Sequence, residues 1–250
     1  MKRLLIVVPY RDRAQQLRAF VAHLSAYFTR DKTDRDLPYR VLIVEQDAGA
    51  PFNRGAIKNV GFALGEGESD YVCFHDVDYL PTWADYSWSD QPTPLVWFGA
   101  ERTPVAPGRS DRAVNNDPAT YFGGAVLFPN AVFRRIDGYA DDYWGWGYED
   151  HDVRMRLALA GFAVARRRGT FLPLYHDNEG FRVQGGPSAI HVVNKVLFER
   201  LWTQPLPPHS GLSTLSFDVI SRRNVELPAD ARAASWEMVK VHLNMTPSAD

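Results

Sequence analysis

Ten consecutive residues, Tyr143-Trp144-Gly145-Trp146-Gly147-Tyr148-Glu149-Asp150-His151-Asp152, set glycine-spaced aromatics directly before three carboxylates and a histidine. Indoles stack on the apolar faces of a pyranose, and carboxylates accept hydrogen bonds from its hydroxyls. An ionised carboxylate can also take a proton from one of those hydroxyls. The same acids would suit a helix N-terminus, where the macrodipole favours negative charge. A sugar site accounts for the aromatics as well as the acids.

A second group is Phe74-His75-Asp76-Val77-Asp78-Tyr79-Leu80-Pro81. In an extended chain Asp76 and Asp78 would share one side. Two such carboxylates make a hard-cation site, suited to manganese or magnesium on a diphosphate leaving group. A pair of turn or helix-capping aspartates has the same spacing. Leu174-Tyr175-His176-Asp177 supplies an imidazole further on, and His75 and His151 are expected to orient acids or touch an acceptor rather than ligate metal. Phe52-Asn53-Arg54 reads as a helix start. Arginine opposes the dipole there, so phosphate or base binding is its expected task, an ordinary surface arginine being the alternative.

Regular elements must hold these groups. Residues 4–8 are a continuous aliphatic run, as in a strand buried on both faces of a parallel sheet. Residues 14–28 carry Leu17, Phe20, Val21, Leu24 and Phe28 on one helical stripe. A strand at 39–44, a helix at 55–64 with Ala56, Val60, Ala63 and Leu64 inward, and a strand at 71–74 complete a βαβαβ unit. The expected class is α/β with a mostly parallel central sheet. Such sheets bind ligands beyond the carboxyl ends of their strands, where Arg11, Arg13, Asp76 and Asp78 fall.

Residues 82–118 read as loops and short strands, and 121–128 as a strand whose Gly123-Gly124 marks a close approach to the backbone. Residues 150–160 predict a helix, with Val153, Leu157 and Ala160 inward and Arg154 and Arg156 outward. Short strands are expected at 162–165 and 171–174, a mobile glycine-rich loop at 177–188, and a helix at 189–201. Residues 212–220 and 234–243 form a pair of strands or helices that periodicity does not separate.

With 250 residues, 45% of them hydrophobic, the chain can fill one large core or two small ones. The net charge of -2, with no basic tract beyond Arg166-Arg167-Arg168, argues against nucleic acid. Cys73 is alone, which excludes an internal disulfide and fits a reducing compartment; it reads as core filler. No apolar run approaches a membrane span, and Pro9 ends the N-terminal one too early for a signal peptide.

Taken in order, VVPYRDR at 7–13, FNRGAIKNVGF at 52–62, FHDVDYLP at 74–81, YFGGAVLF at 121–128 and DGYADDYWGWGYEDHD at 137–152 resemble the β-1,4-galactosyltransferase family. GLSTLSFDVI at 211–220 matches more loosely. Histidine before the first aspartate of the third motif is most similar to the branch that adds galactose to xylose. The resemblance implies an inverting, metal-dependent transferase of the GT-A fold, a Rossmann-like nucleotide-sugar-binding architecture. Residues 1–81 would form its nucleotide-binding half, 82–220 its acceptor and catalytic half, and 221–250 a C-terminal extension.

The same resemblance implies roles. Pro9, Arg11, Arg13, Phe52, Asn53 and Arg54 would hold uridine diphosphate. Asp76 and Val77 would meet the donor ribose or sugar, with Trp146 and Gly147 closing over it and Tyr121 restricting room at its 2-position. Asp78 and His176 would ligate Mn2+. Glu149 and Asp150 would bind the two sugars, Asp150 as general base, with Trp144 and His151 at the acceptor. The loop 144–147 and the segment 178–187 would form a lid. Donor and acceptor would be UDP-galactose and a saccharide or glycolipid, and UDP-N-acetylgalactosamine or UDP-glucose would fit the same fold; a catalytically silent carbohydrate-binding module is the alternative from another class.

Three departures from the family pattern stand out. His151 interrupts the acid run at the acceptor position. Pro173 and Leu174 stand where a second metal ligand is usual, leaving water or Asp177 to complete the shell. The membrane anchor and disulfides of the animal enzymes have no counterpart, so the expectation is a soluble, bacterial-type cytoplasmic enzyme working on surface polysaccharide or lipid-linked oligosaccharide.

Overall fold

A computed structural model describes residues 1–30, 37–97, 121–174, 182–183, 186–187, 189–203, 210–229, 231 and 234–247. Strand β1 (Leu4–Tyr10) is buried along its whole length. Its side chains alternate: Leu4, Ile6 and Val8 enter one core layer, and Leu5 and Val7 the other. That two-sided burial is why the run is aliphatic without a polar face. Helix α1 (Ala14–Arg30) covers the first layer with Phe20, Leu24 and Phe28, and α2 (Arg54–Gly65) covers the second with Ala56, Ile57 and Val60.

Strands β2 (Tyr39–Gln46) and β3 (Tyr71–His75) flank β1, both parallel to it. Beyond β3 the sheet turns antiparallel with β6 (Ala125–Pro129) and β5 (Thr93–Pro94). At the other end β11 (Ser235–Leu243) runs parallel to β2 and pairs antiparallel with β10 (Phe217–Asn224). The strand order among the described residues is β10-β11-β2-β1-β3-β6-β5, with a four-strand parallel centre. The 221–250 stretch thus contributes an inner strand, with Trp236, Met238, Val239 and Val241 in the core. A separate ribbon pairs β4 (Tyr79–Trp83) with β7 (Thr170–Pro173), and β8 (Arg182–Val183) pairs with β9 (Gly186–Pro187). Helices α3 (Asn130–Arg135), α4 (Glu149–Leu159) and α5 (Ala189–Trp202) complete the chain.

Several local expectations need correction, among them Ala63, which is exposed rather than on the inner side of α2. The strand expected from residue 121 begins at Ala125, because Gly124 turns the backbone at φ +76°. Residues 162–165 form no strand. Ala165 and Arg167 donate backbone bonds to the carbonyls of Pro92 and Pro94, which have no N–H to return. Arg156 points inward, where Asp152 accepts from its Nε at 2.5 Å, whereas Ala160 is exposed. The loop expectations at 98–118 and 177–188 fall largely outside the described residues.

Candidate active site

The sheet delivers charged groups from three elements to the carboxyl end of its parallel strands. Arg54 opens α2, immediately after the connection from β2. Its guanidinium donates to Asp76 Oδ2 at 2.9 Å and to Asp150 Oδ2 at 2.8 Å, and it also pairs with Glu149. One turn on, Lys58 places Nζ 3.1 Å from Asp150 Oδ1. Asp76 stands just past β3, and Glu149 and Asp150 form the first turn of α4. Two cations therefore bind three acids brought together from positions 54 to 150.

Burial sets the balance of charge. Desolvation raises Asp76 above the ordinary carboxylate range despite Arg54 and Lys58. Asp150 is also pushed up by burial, but Lys58 and then Arg54 outweigh it and hold its carboxyl low. For Arg54, burial works against the charge, and the three carboxylates more than compensate, leaving it well above its usual value. Asp150 Oδ2 also lies beside Gly123, where an added Cβ would come within 2.9 Å of it. The close approach expected at Gly123-Gly124 is made by the Tyr121 hydroxyl and Asp150 at Gly123 and by Val96 at Gly124. Tyr121 lines the same place, its hydroxyl 3.2 Å from that of Tyr79.

Asp76 and Asp78 do not share a side. The strand ends at His75, and Tyr79 N donates to Asp76 O, so residues 76–79 form a turn rather than extended chain. Asp76 faces Arg54, while Asp78 faces Arg13, Nη1 to Oδ2 3.0 Å. Arg11 donates to Ala50 O at 2.6 Å and lies over the Phe52 ring. Among the described residues no three His, Cys, Asp or Glu side chains converge on a metal site. Asp78 presents one hard oxygen donor, and Leu174 N donates to its carbonyl at 2.6 Å. His176, two residues further in sequence, lies outside the described residues. The hard carboxylate oxygen of Asp78 is a donor that suits manganese.

Several residues expected to touch ligand are turned inward. Pro9 is buried within β1, and Val77 packs in the core. Asn53 is fully buried: its Oδ1 accepts from Ala56 N as the cap of α2, and its amide donates to Asp141 O. Trp144 is only 8% exposed and packs in the second core layer, whereas Trp146 is 41% exposed. His75 is also buried, between Phe20, Tyr86 and Phe171, with Nε2 2.9 Å from Tyr86 Oη. Contact with an acceptor is excluded for it. His151 is exposed and packs on Tyr148.

The tryptophan loop is anchored rather than free. Gly145 N donates to Phe52 O at 2.7 Å, and the Asn194 amide of α5 serves the carbonyls of Trp144, Trp146 and Gly147. Gly147, at φ +100°, lies against His191, where an added Cβ would come within 2.8 Å of the ring. Tyr148 precedes α4 in the left-handed region, at φ 76°. Asn194 and Lys58 escaped the motif reading. For Lys58 the available signal was a cation four residues after Arg54 inside the apolar run 55–65; Asn194, on a distant helix, left none.

Two family models match this chain. One, described as the N-terminal region of glycosyl transferase group 7, matches residues 1–88, and the other, described as the N-terminal domain of galactosyltransferase, matches 108–177. Human beta-1,4-galactosyltransferase 7 is 30% identical over 254 residues, covering 94% of this chain and 70% of that protein. Rat beta-1,4-galactosyltransferase 4 is 28% identical over 94% of this chain, which spans 64% of the rat protein's length. Among solved structures, the catalytic domain of Drosophila beta1,4galactosyltransferase 7 in complex with xylobiose superposes with a TM-score of 0.73, at 22% identity, over 98% of this chain and 95% of that one. A mutant of the same Drosophila enzyme, in complex with manganese, UDP-Gal and xylobiose, gives a TM-score of 0.72.

Proposed function

This chain belongs to the β-1,4-galactosyltransferase family, glycosyl transferase group 7, and from that premise we propose that it transfers galactose from UDP-galactose to a sugar hydroxyl, inverting the anomeric carbon. The observation that carries the reading is the Arg54–Asp76–Glu149–Asp150 cluster at the carboxyl end of the parallel strands. The manganese, UDP-Gal and xylobiose of the Drosophila complex support the choice of donor, metal and acceptor class. Residues 1–81 then form the donor half and 82–220 the acceptor half.

The chain's own groups divide the work. Arg11, Arg13 and Arg54 supply positive charge for the departing diphosphate. Asp150 accepts the proton of the acceptor hydroxyl as its oxygen bonds to the anomeric carbon and the bond to UDP breaks. Held low by Lys58 and Arg54, Asp150 is ionised at neutral pH. The hydroxyl acidifies as it attacks, so a weak base suffices. Glu149 holds Arg54 in place and, in this reading, faces the sugars. Asp78 and His176 would hold manganese, which when bound offsets the charge on the leaving diphosphate.

Among the described residues no helix is long and apolar enough to cross a membrane. One cysteine in 250 residues, buried in β3, supports a cytoplasmic setting for this activity. The test is transfer from UDP-galactose, with and without manganese, onto xylosides, glucosides and N-acetylglucosaminides, with product linkage read by NMR. Expected is β-linked galactose on one acceptor class, lost on chelation and in Asp78→Ala. UDP-sugar turnover with no transfer to any sugar, or none at all, would overturn the reading.

A further inference from the structure

Lys58 is oddly placed for a lysine. It is 3% exposed, in a helix whose residues 55–62 are all buried. Buried lysines are rare unless paired, because an ammonium taken out of water is costly. Its Nζ meets Asp150 Oδ1 at 3.1 Å and lies 4.2 Å over the Tyr139 ring. Arg54, by contrast, divides itself among three acids. Each oxygen of Asp150 therefore has its own cation: Oδ1 has Lys58, and Oδ2 has Arg54.

Resting on the transferase reading, we propose that Lys58 is the positioning residue of the general base. It clamps Oδ1 of Asp150, fixes the rotamer of that carboxylate, and reserves Oδ2 for the acceptor proton. The packing supports this division. Oδ1 is tied to a buried group with little freedom, whereas Oδ2 pairs with the more exposed Arg54 and lies against the backbone at Gly123, which carries no side chain. When Arg54 engages the donor diphosphate, Oδ2 becomes the open acceptor. The proton passes from the acceptor hydroxyl to Oδ2, the new C–O bond forms, and UDP leaves with the electron pair of the broken bond. Lys58 keeps its proton throughout.

The groups around Asp150 are Arg54 and Lys58 from α2, Asp76 past β3, Tyr121 and Tyr139 from the connections to β6 and α4, and Glu149 and His151 from α4. Lys58→Met removes one cation and leaves the rest. A carboxylate with a depressed pKa loses its charge as pH falls through that value, so the acid limb of kcat reports Asp150. In Lys58→Met we expect the limb to move up by about one pH unit and kcat at neutral pH to fall about 10-fold or more, with UDP affinity near wild type. Lys58→Arg should restore the limb. A stability cycle of Lys58→Met, Asp150→Asn and the double variant, by urea denaturation at neutral pH, should show non-additivity that vanishes once Asp150 is protonated.

Wild-type transfer with an unmoved limb in Lys58→Met, or a loss confined to UDP affinity, overturns the role of Lys58 and leaves the transferase reading standing. Additive stability effects overturn the clamp even if Lys58→Met is inactive. Absence of transfer by the wild-type protein sinks the transferase reading itself.

Discussion

In the proposed mechanism a single side chain, Asp150, takes the acceptor proton. Replacing it with Asn keeps the shape and removes the proton acceptor. Asp150→Asn should lower transfer by about 10²-fold or more while UDP and manganese still bind; calorimetry beside a transfer assay separates the two. Near-normal transfer in that variant, with Glu149→Gln inactive, would move the base to Glu149. For Tyr121 the proposed role is a different one, donor choice. Its hydroxyl, bonded to Tyr79, lies 2.8 Å from where a Cβ on Gly123 would stand. Tyr121→Leu should admit UDP-N-acetylgalactosamine in competition with UDP-galactose, a shift worth about 1–3 kcal/mol. An unchanged donor ratio would take Tyr121 out of the donor pocket.

At the scale of the element, the tryptophan loop depends on a helix far away in sequence. Asn194 spends its amide on three carbonyls of residues 144–147, and it is buried there. Alanine at 194 would leave the buried Trp144 carbonyl without this donor, at a cost of about 1–3 kcal/mol. The loop would also lose its hold on α5. Asn194→Ala should lower the unfolding midpoint and raise the acceptor KM more than the UDP Kd. Kinetics indistinguishable from wild type at reduced stability would make Asn194 a purely structural anchor. The loop was legible as a feature, since its aromatics and glycines are contiguous. Its anchoring was not, because a hydrogen bond spanning about fifty positions leaves no local pattern.

The whole molecule speaks through His75. It sits where the sheet, α1 and the β4–β7 ribbon meet, and burial pushes its pKa down to about 4. Its Nδ1 donates to Asp76 O, which leaves Nε2 to accept from Tyr86. The unfolded chain takes a proton near pH 6.5 that the folded one refuses until about 4. Stability is therefore undiminished above about 6.5 and falls as pH drops between the two values, by about 3 kcal/mol. Urea denaturation across that window should show the loss, and His75→Gln should reduce the slope by about one proton. Equal slopes in the two proteins would place the acid sensitivity elsewhere.

The architecture was written locally. Aliphatic runs at 4–8, 39–44 and 71–74, a helical stripe at 14–28 and motif segments of a few residues each suffice to name a parallel α/β frame and the carboxylates at its rim. Those signals survive in one dimension because strand and helix periodicity follow from neighbouring residues alone. Pairing across the fold is different. Asp76 and Asp78 are two apart in sequence, yet a turn sends one to Arg54 and the other to Arg13. Trp144 and Trp146 look alike, yet one is core and the other surface. Residues 235–243 join the inner sheet only because β2 leaves an edge for them. Which neighbour a side chain meets is set by packing among segments distant in the chain, and that information exists only once the layers close on one another.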